Sequence, residues 1–172
     1  LQTLGAQDVE QGVRMVSFKG DKGFMYKANL SLRTALKILK PIYFFKANNE
    51  QALYKGILGV NWSKYINANQ TFVIDTTVHS EYFNHSEFVS QKCKDAIVDQ
   101  FRERTGSRPS IDKAYPDLRI NIHIDKDQVS VALDTSGNSL NQRGYRTATN
   151  IAPINEVLAA GILLLSGWEG QG

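Results

Sequence analysis

The segment LRINIHID, residues 118–125, alternates apolar and polar side chains without a break. Leu118, Ile120, Ile122 and Ile124 take one face, and Arg119, Asn121, His123 and Asp125 take the other. Period-two alternation over eight residues is the pattern of a strand with one buried and one solvated face. A tight connection at Lys126 and Asp127 leads to a second alternating run, Val129, Val131 and Leu133. The two runs are therefore expected to pair as a hairpin.

Other elements follow from period and punctuation. Residues 71–79 alternate, with Phe72, Ile74 and Val78 opposed to Asp75, Thr77 and His79. A long helix is expected to end at Gly106, capped at its start by Asn84 or Ser86, with Val89, Cys93, Ala96, Ile97 and Phe101 as its buried stripe. Residues 48–66 read as a short helix with Leu53 and Ile57 inward, followed by a turn in which Trp62 and Tyr65 plug a core. Earlier, 13–19 reads as a strand, 21–35 as a helix and 38–46 as a strand whose Pro41 marks an edge, together a β-α-β unit. The opening LQTLG reads as a last helical turn closed by Gly5. The chain therefore reads as cut in front and, after a final apolar helix, cut behind.

Composition limits the classes. At 172 residues, with 42% hydrophobic and 22% charged residues, the chain suits one domain or two small ones with a real core. A lone cysteine excludes an internal disulfide framework, and three histidines outside ligand spacing argue against structural zinc. The longest apolar run, 159–165, is too short to span a bilayer, and the start has no secretory pattern, so a cytoplasmic location without a membrane partner is expected. The net charge is only +3, but residues 11–46 hold eight Lys or Arg against Asp21 alone. Such an excess favours a polyanionic partner; its bland alternative is an ordinary solvated surface.

No catalytic constellation emerges. His123 faces solvent from a strand, Asp75 and His79 form a surface pair, and Cys93 lies on an apolar stripe. The stretch VEQGVR resembles the phosphate-binding glycine loop of acylphosphatases, a minor alternative, but it runs on as a strand rather than opening a helix. The turn-rich segments 106–109, 112–117 and 136–146 carry Arg108, Lys113, Arg143 and Arg146, with Tyr145 or Tyr115 able to stack on an unpaired base. These five, Arg108, Lys113, Arg143, Tyr145 and Arg146, are the RNA-binding candidates. The alternative is a surface linker whose arginines cap backbone carbonyls.

The succession NWSKY, ERTGSRP, YPDLRINIHI, VALDTSGNSLNQRGYR and APINEVLAAGILLLSGW resembles the N-terminal region of THUMP-domain RNA methyltransferases of the large-subunit ribosomal RNA guanine-N2 type. The resemblance implies an α/β (α+β) fold: a ferredoxin-like segment at 1–46, a THUMP domain at 48–147, then at 148–172 a linker and the first helix of a Rossmann-like methyltransferase domain. It also implies structured RNA, ribosomal in the first instance, as partner, the methyltransferase domain in cis, and S-adenosylmethionine as cofactor of the parent protein. The rivals are a THUMP module of tRNA thiolation or another RNA modification, and a protein-interaction adaptor with the 153–165 helix as its docking face; self-association through 153–166 is a separate expectation.

The glycine-rich cofactor loop and the Asn/Asp-Pro-Pro-Tyr motif of the family are absent from these residues, so no catalytic, cofactor or metal residue is assigned. Calorimetry of this chain with S-adenosylmethionine is expected to show no low-micromolar one-to-one binding.

Overall fold

The computed structural model describes residues 1–144, 146–148 and 152–168. The chain divides into two compact units, Leu39–Asp134 and the pair of segments Leu1–Ile38 and Thr135–Gly172.

The Leu39–Asp134 unit is a five-stranded sheet with helices on one face. Its strands are β3 (Leu39–Lys46), β4 (Thr71–His79), β5 (Ser110–Ile111), β6 (Leu118–Asp125) and β7 (Gln128–Asp134), and its helices are α2 (Glu50–Leu58) and α3 (Ser86–Thr105). Sheet order is β3-β7-β6-β4-β5, with β4 parallel to both β5 and β6 and the other pairs antiparallel. The expected hairpin forms: Ile122 lies opposite Val131 and Ile124 opposite Val129. Ile120, Ile122 and Ile124 are buried with Val129 and Val131 in one core with Leu53, Ile57, Val89, Cys93, Ile97 and Phe101. Pro41 sits on an edge strand, as its missing N–H requires.

Some local readings change. Asn49, at the start of α2, accepts the Ala52 N–H at 2.9 Å, but α3 begins after His85, and neither Asn84 nor Ser86 caps it by a side-chain bond. Its end is as read: Gly106 takes φ 71° and donates to the Arg102 carbonyl. Trp62 is fully buried, whereas Tyr65 stays partly exposed with its ring edge-on to the indole at 6.4 Å. Residues 110–111, too short for a periodic signal, form β5.

In the other unit, β1 (Gln7–Gln11) and β2 (Val16–Lys19) make an antiparallel hairpin, followed by α1 (Lys22–Ser31). The β-α-β unit read from the sequence is not a single-sheet unit, because β2 pairs with β1 while β3 pairs with β7. The strand missed was β1, whose polar sequence QDVEQ is almost wholly exposed and so carries no alternation. Residues 12–15 are the hairpin loop, joining strand to strand with Arg14 at φ 57°, which is not the loop-to-helix arrangement of an acylphosphatase. Asp21 caps α1 by accepting the Phe24 N–H at 2.6 Å, and α1 stops at Ser31, four residues short of the expected end, where Leu32 turns extended. Phe24, Ala28 and Ile38 form a small core here with Leu4, Phe18 and Leu140 packed on it. The last helix, α4 (Glu156–Leu165), starts after Asn155, whose side chain accepts from Val157 and Leu158 N–H groups. Pro153 therefore precedes the helix rather than opening it, because Asn155 can satisfy two of the orphan N–H groups of the first turn.

One buried polar side chain ties α3 to the turn after α2. Gln100 accepts the Trp62 N–H at 3.1 Å and donates to the Leu58 and Val60 carbonyls, both at 2.8 Å. Gln100→Leu would leave three buried backbone groups unpaired, and is expected to lower stability by about 2–4 kcal/mol. In urea unfolding the midpoint should fall with the slope unchanged.

Candidate nucleic-acid interface

The five residues singled out as RNA contacts fall in both units and differ in what holds them. Arg108 and Lys113 belong to Leu39–Asp134, and Arg143 and Arg146 to the other unit. Tyr145 lies outside the described residues.

Arg108 and Lys113 are carried on a loop whose backbone is pinned at several points. Pro109 is fully buried, and β5 is bonded to β4 from the Ser110 N–H to the Gln70 carbonyl and from the Asp112 N–H to the Phe72 carbonyl, each 3.2 Å. Asp112 then folds the next turn by accepting the Ala114 and Tyr115 N–H groups at 2.8 and 3.0 Å, a local side-chain-to-backbone turn of the kind aspartate favours. Those bonds, Tyr115 first, hold the Asp112 carboxyl below its usual range. Asp117 closes the loop by accepting both the N–H and the hydroxyl of Thr71 at 2.8 and 3.0 Å. Lys113 and Tyr115, the latter 87% exposed, therefore project from a fixed turn. Arg108 lines a cavity of about 210 Å³ with Lys94, Val98, Pro109, Ser110 and Ile111. Sequence reasoning missed Lys94, since its place beside Arg108 depends on how α3 lies against β5.

Arg143 is used internally. Its Nε donates to the Leu140 carbonyl at 3.0 Å, one terminal nitrogen to Leu30 at 3.2 Å, and the other to Asn29 at 3.1 Å and Leu32 at 2.5 Å. Four of the five guanidinium N–H groups are thus taken by carbonyls, three of them at the C-terminal end of α1, where a cation also complements the helix dipole. This is the carbonyl-capping alternative seen in atomic detail. Arg146 donates to the Ile154 carbonyl at 2.8 Å and lies 4.0 Å from Glu156. With Arg33, Arg143, Glu156 and Leu163 it lines a groove of about 230 Å³ along α4.

No group of three metal-ligating side chains occurs among the described residues. The His79 and His123 rings touch edge-on at 5.9 Å on the solvent face of the sheet, and burial pushes the Cys93 thiol up to about 12, which keeps it protonated and inert. No helix among the described residues is long and apolar enough to cross a membrane.

Replacing Arg143 strips charged donors from the end of α1. Arg143→Ala is expected to cost about 2–3 kcal/mol, and Arg143→Lys should recover only a minor part, because an ammonium lacks the planar fork. Faster amide exchange in α1, with α3 unaffected, would report the loss.

Comparison with known proteins accords with this arrangement. Residues 47–134 match the THUMP domain and residues 1–39 the RlmL ferredoxin-like domain. The ribosomal RNA large subunit methyltransferase K/L of Syntrophotalea carbinolica is 42% identical over all 172 residues, which span 24% of that protein. A structure from Listeria monocytogenes described as a "predicted N6-adenine-specific DNA methylase" superposes with a TM-score of 0.81 at 29% identity, covering 97% of this chain and 44% of that one. A "putative methyltransferase complexed with SAH" gives 0.80 at 31% identity with the same coverage. The chain thus spans less than half the length of each of these relatives. With a helix-backed sheet formed by the residues that match, and the preceding segment matching as well, this chain belongs to the THUMP-domain family and carries an RlmL-type ferredoxin-like domain before its THUMP domain.

Proposed function

We propose that this chain is the RNA-binding, substrate-presenting region of an S-adenosylmethionine-dependent ribosomal RNA methyltransferase acting on guanine N2. The observation that carries the reading is the 42% identity, over the whole of this chain, to a protein named for ribosomal RNA large subunit methylation. The division we adopt is a ferredoxin-like segment at 1–46, the THUMP domain at 48–147, and a connection at 148–172 to the domain that performs methyl transfer.

The division of labour has a chemical basis. Cofactor sites of open α/β sheets form where a parallel strand runs through a glycine-rich turn into a helix. Here the parallel strands β4 and β6 lead into residues 80–85, which contain no glycine, and into the Lys126–Asp127 turn. The described residues therefore do not fit S-adenosylmethionine, and the cofactor falls to the remainder of the parent protein. The names of the relatives point the same way: this region is shared by proteins named for RNA and for DNA methylation. Base selection then belongs with the methyl-transfer domain, where a flipped base must be read, and this chain contributes phosphate and shape recognition.

In this reading Arg108, Lys113 and Arg146 supply charge to the RNA backbone, and Tyr145 with Tyr115 supplies stacking faces. Arg143 acts mainly as a positioning residue, with one N–H left to donate. The final helix has a second role. Leu158, Ile162, Leu163, Leu164 and Leu165 are all exposed on α4, and leaving several such side chains in water forfeits on the order of 6 kcal/mol. We assign that surface to the methyl-transfer domain in cis. The adaptor reading differs by placing a separate protein partner, or a second copy, there.

Binding of a structured ribosomal RNA fragment should weaken with salt at a log–log slope of roughly −2 to −3, as expected for about three neutralised phosphates. Arg108→Ala with Lys113→Ala should weaken binding to a similar degree across RNA sequences. A flat salt response, or dimerisation abolished by Leu158→Glu in sedimentation, would favour the adaptor instead.

A further inference from the structure

β5 is hydrogen-bonded on one side only. The Ser110 and Asp112 N–H groups point to β4, and in a parallel ladder the residue between them turns both its backbone groups the other way. The Ile111 N–H therefore faces the outer edge of the sheet, where β5 is the terminal strand. That edge borders the cavity of about 210 Å³ lined by Lys94 and Val98 of α3 and by residues 108–111.

Lys94, Arg108, Ser110 and Ile111 thus border a single cavity, and none of its lining residues is acidic. Arg108 has no hydrogen-bond or ion-pair partner among the described residues. Lys94 is paired with its sequence neighbour Asp95 at 3.6 Å, a partly exposed contact of the kind that contributes little. The lysine stem is largely covered, with 29% of the side chain exposed, and Pro109 is buried, so much of the ordering cost of binding is already met. The volume lies below the range of about 300–1,000 Å³ usual for drug-sized ligands and suits one small anion.

We propose that this cavity is a phosphate cradle, in which Lys94, Arg108, the Ser110 hydroxyl and the Ile111 N–H hold one internal phosphodiester of a bound RNA strand. The proposal rests on the RNA-binding reading above and deepens it by naming Lys94, Ser110 and Ile111. Arginine can present two N–H groups to the two free phosphate oxygens, lysine adds a point charge, and the backbone N–H contributes a fixed dipole. An added peptide strand is the other use of an exposed sheet edge, but a two-residue strand offers too short a ladder, and the paired cations would go unused.

The test is anisotropy titration of the chain with an RNA hairpin carrying or lacking a 5′-phosphate, between about 50 and 200 mM salt. Lys94→Ala should reduce the magnitude of the log–log slope by about 0.7–0.9, equally for both hairpins. Lys92→Ala, on the same helix but outside the cavity, should leave it unchanged. The Ile111 amide proton should shift on RNA addition in the wild type and not in the Lys94→Ala, Arg108→Ala double variant. RNA binding with an unaltered slope in Lys94→Ala and a still Ile111 amide would overturn the cradle while leaving the RNA-binding reading intact. Dependence on the 5′-phosphate would replace the internal phosphodiester by a terminal one. Absence of RNA binding by the wild type would overturn both readings.

Discussion

The row of isoleucines on β6 is the constraint on which the larger unit depends. Ile120, Ile122 and Ile124 are essentially inaccessible to water because β4 and β7 flank their strand and α2 and α3 cover their face. Burying three such side chains contributes roughly 5–9 kcal/mol, and their alternation also sets register, since a one-residue slip would turn all three to solvent. With β6 held, β4 lies parallel to it over eight residues, and β4 in turn carries β5. The pinned loop with Arg108 and Lys113 is thus a consequence of a central strand two positions away in the sheet.

The smaller unit is held by a different kind of interaction. Among the described residues its core has three buried side chains, too few to order long connections by apolar burial alone. Polar bonds do that work: the Thr135 hydroxyl donates to the Ile38 carbonyl at 2.8 Å and accepts from Asn29 at 3.0 Å, Ser136 accepts the Ile38 N–H at 2.7 Å, and Arg143 gathers the end of α1. An arginine in a turn-rich basic segment can serve a ligand or its own backbone. Here the geometry consumes most of its donors internally, while Arg108 keeps its guanidinium available.

How far the sequence could be read depended on element length and on the range of the forces involved. Alternation in β4 and β6 and the apolar stripe of α3 were legible because each spans several periods, and the glycine stop at Gly106 because it is local chemistry. The two residues of β5 offer no period, and polar β1 has no apolar face, so both strands appear only through their partners. Asp21, read as the first residue of α1, is instead its cap, and before α3 the two nearby candidates Asn84 and Ser86 competed and neither bonds. Likewise Pro153 suits a first helical position in isolation, yet α4 starts three residues later at Glu156, because Asn155 caps it by accepting two N–H groups.

By itself the sequence determined the helix-backed α/β sheet, the hairpin that anchors it, the basic loops and the family resemblance, since periodicity, turn chemistry and motif order are all local along the chain. Only the tertiary structure decided which cations remain free. Arg143 is claimed by carbonyls more than a hundred residues away in sequence, and Lys94 lines one cavity with Arg108 beside an edge strand too short to announce itself. Hydrogen-bond satisfaction depends on what folding brings within about 3 Å, and that is information no linear spacing contains.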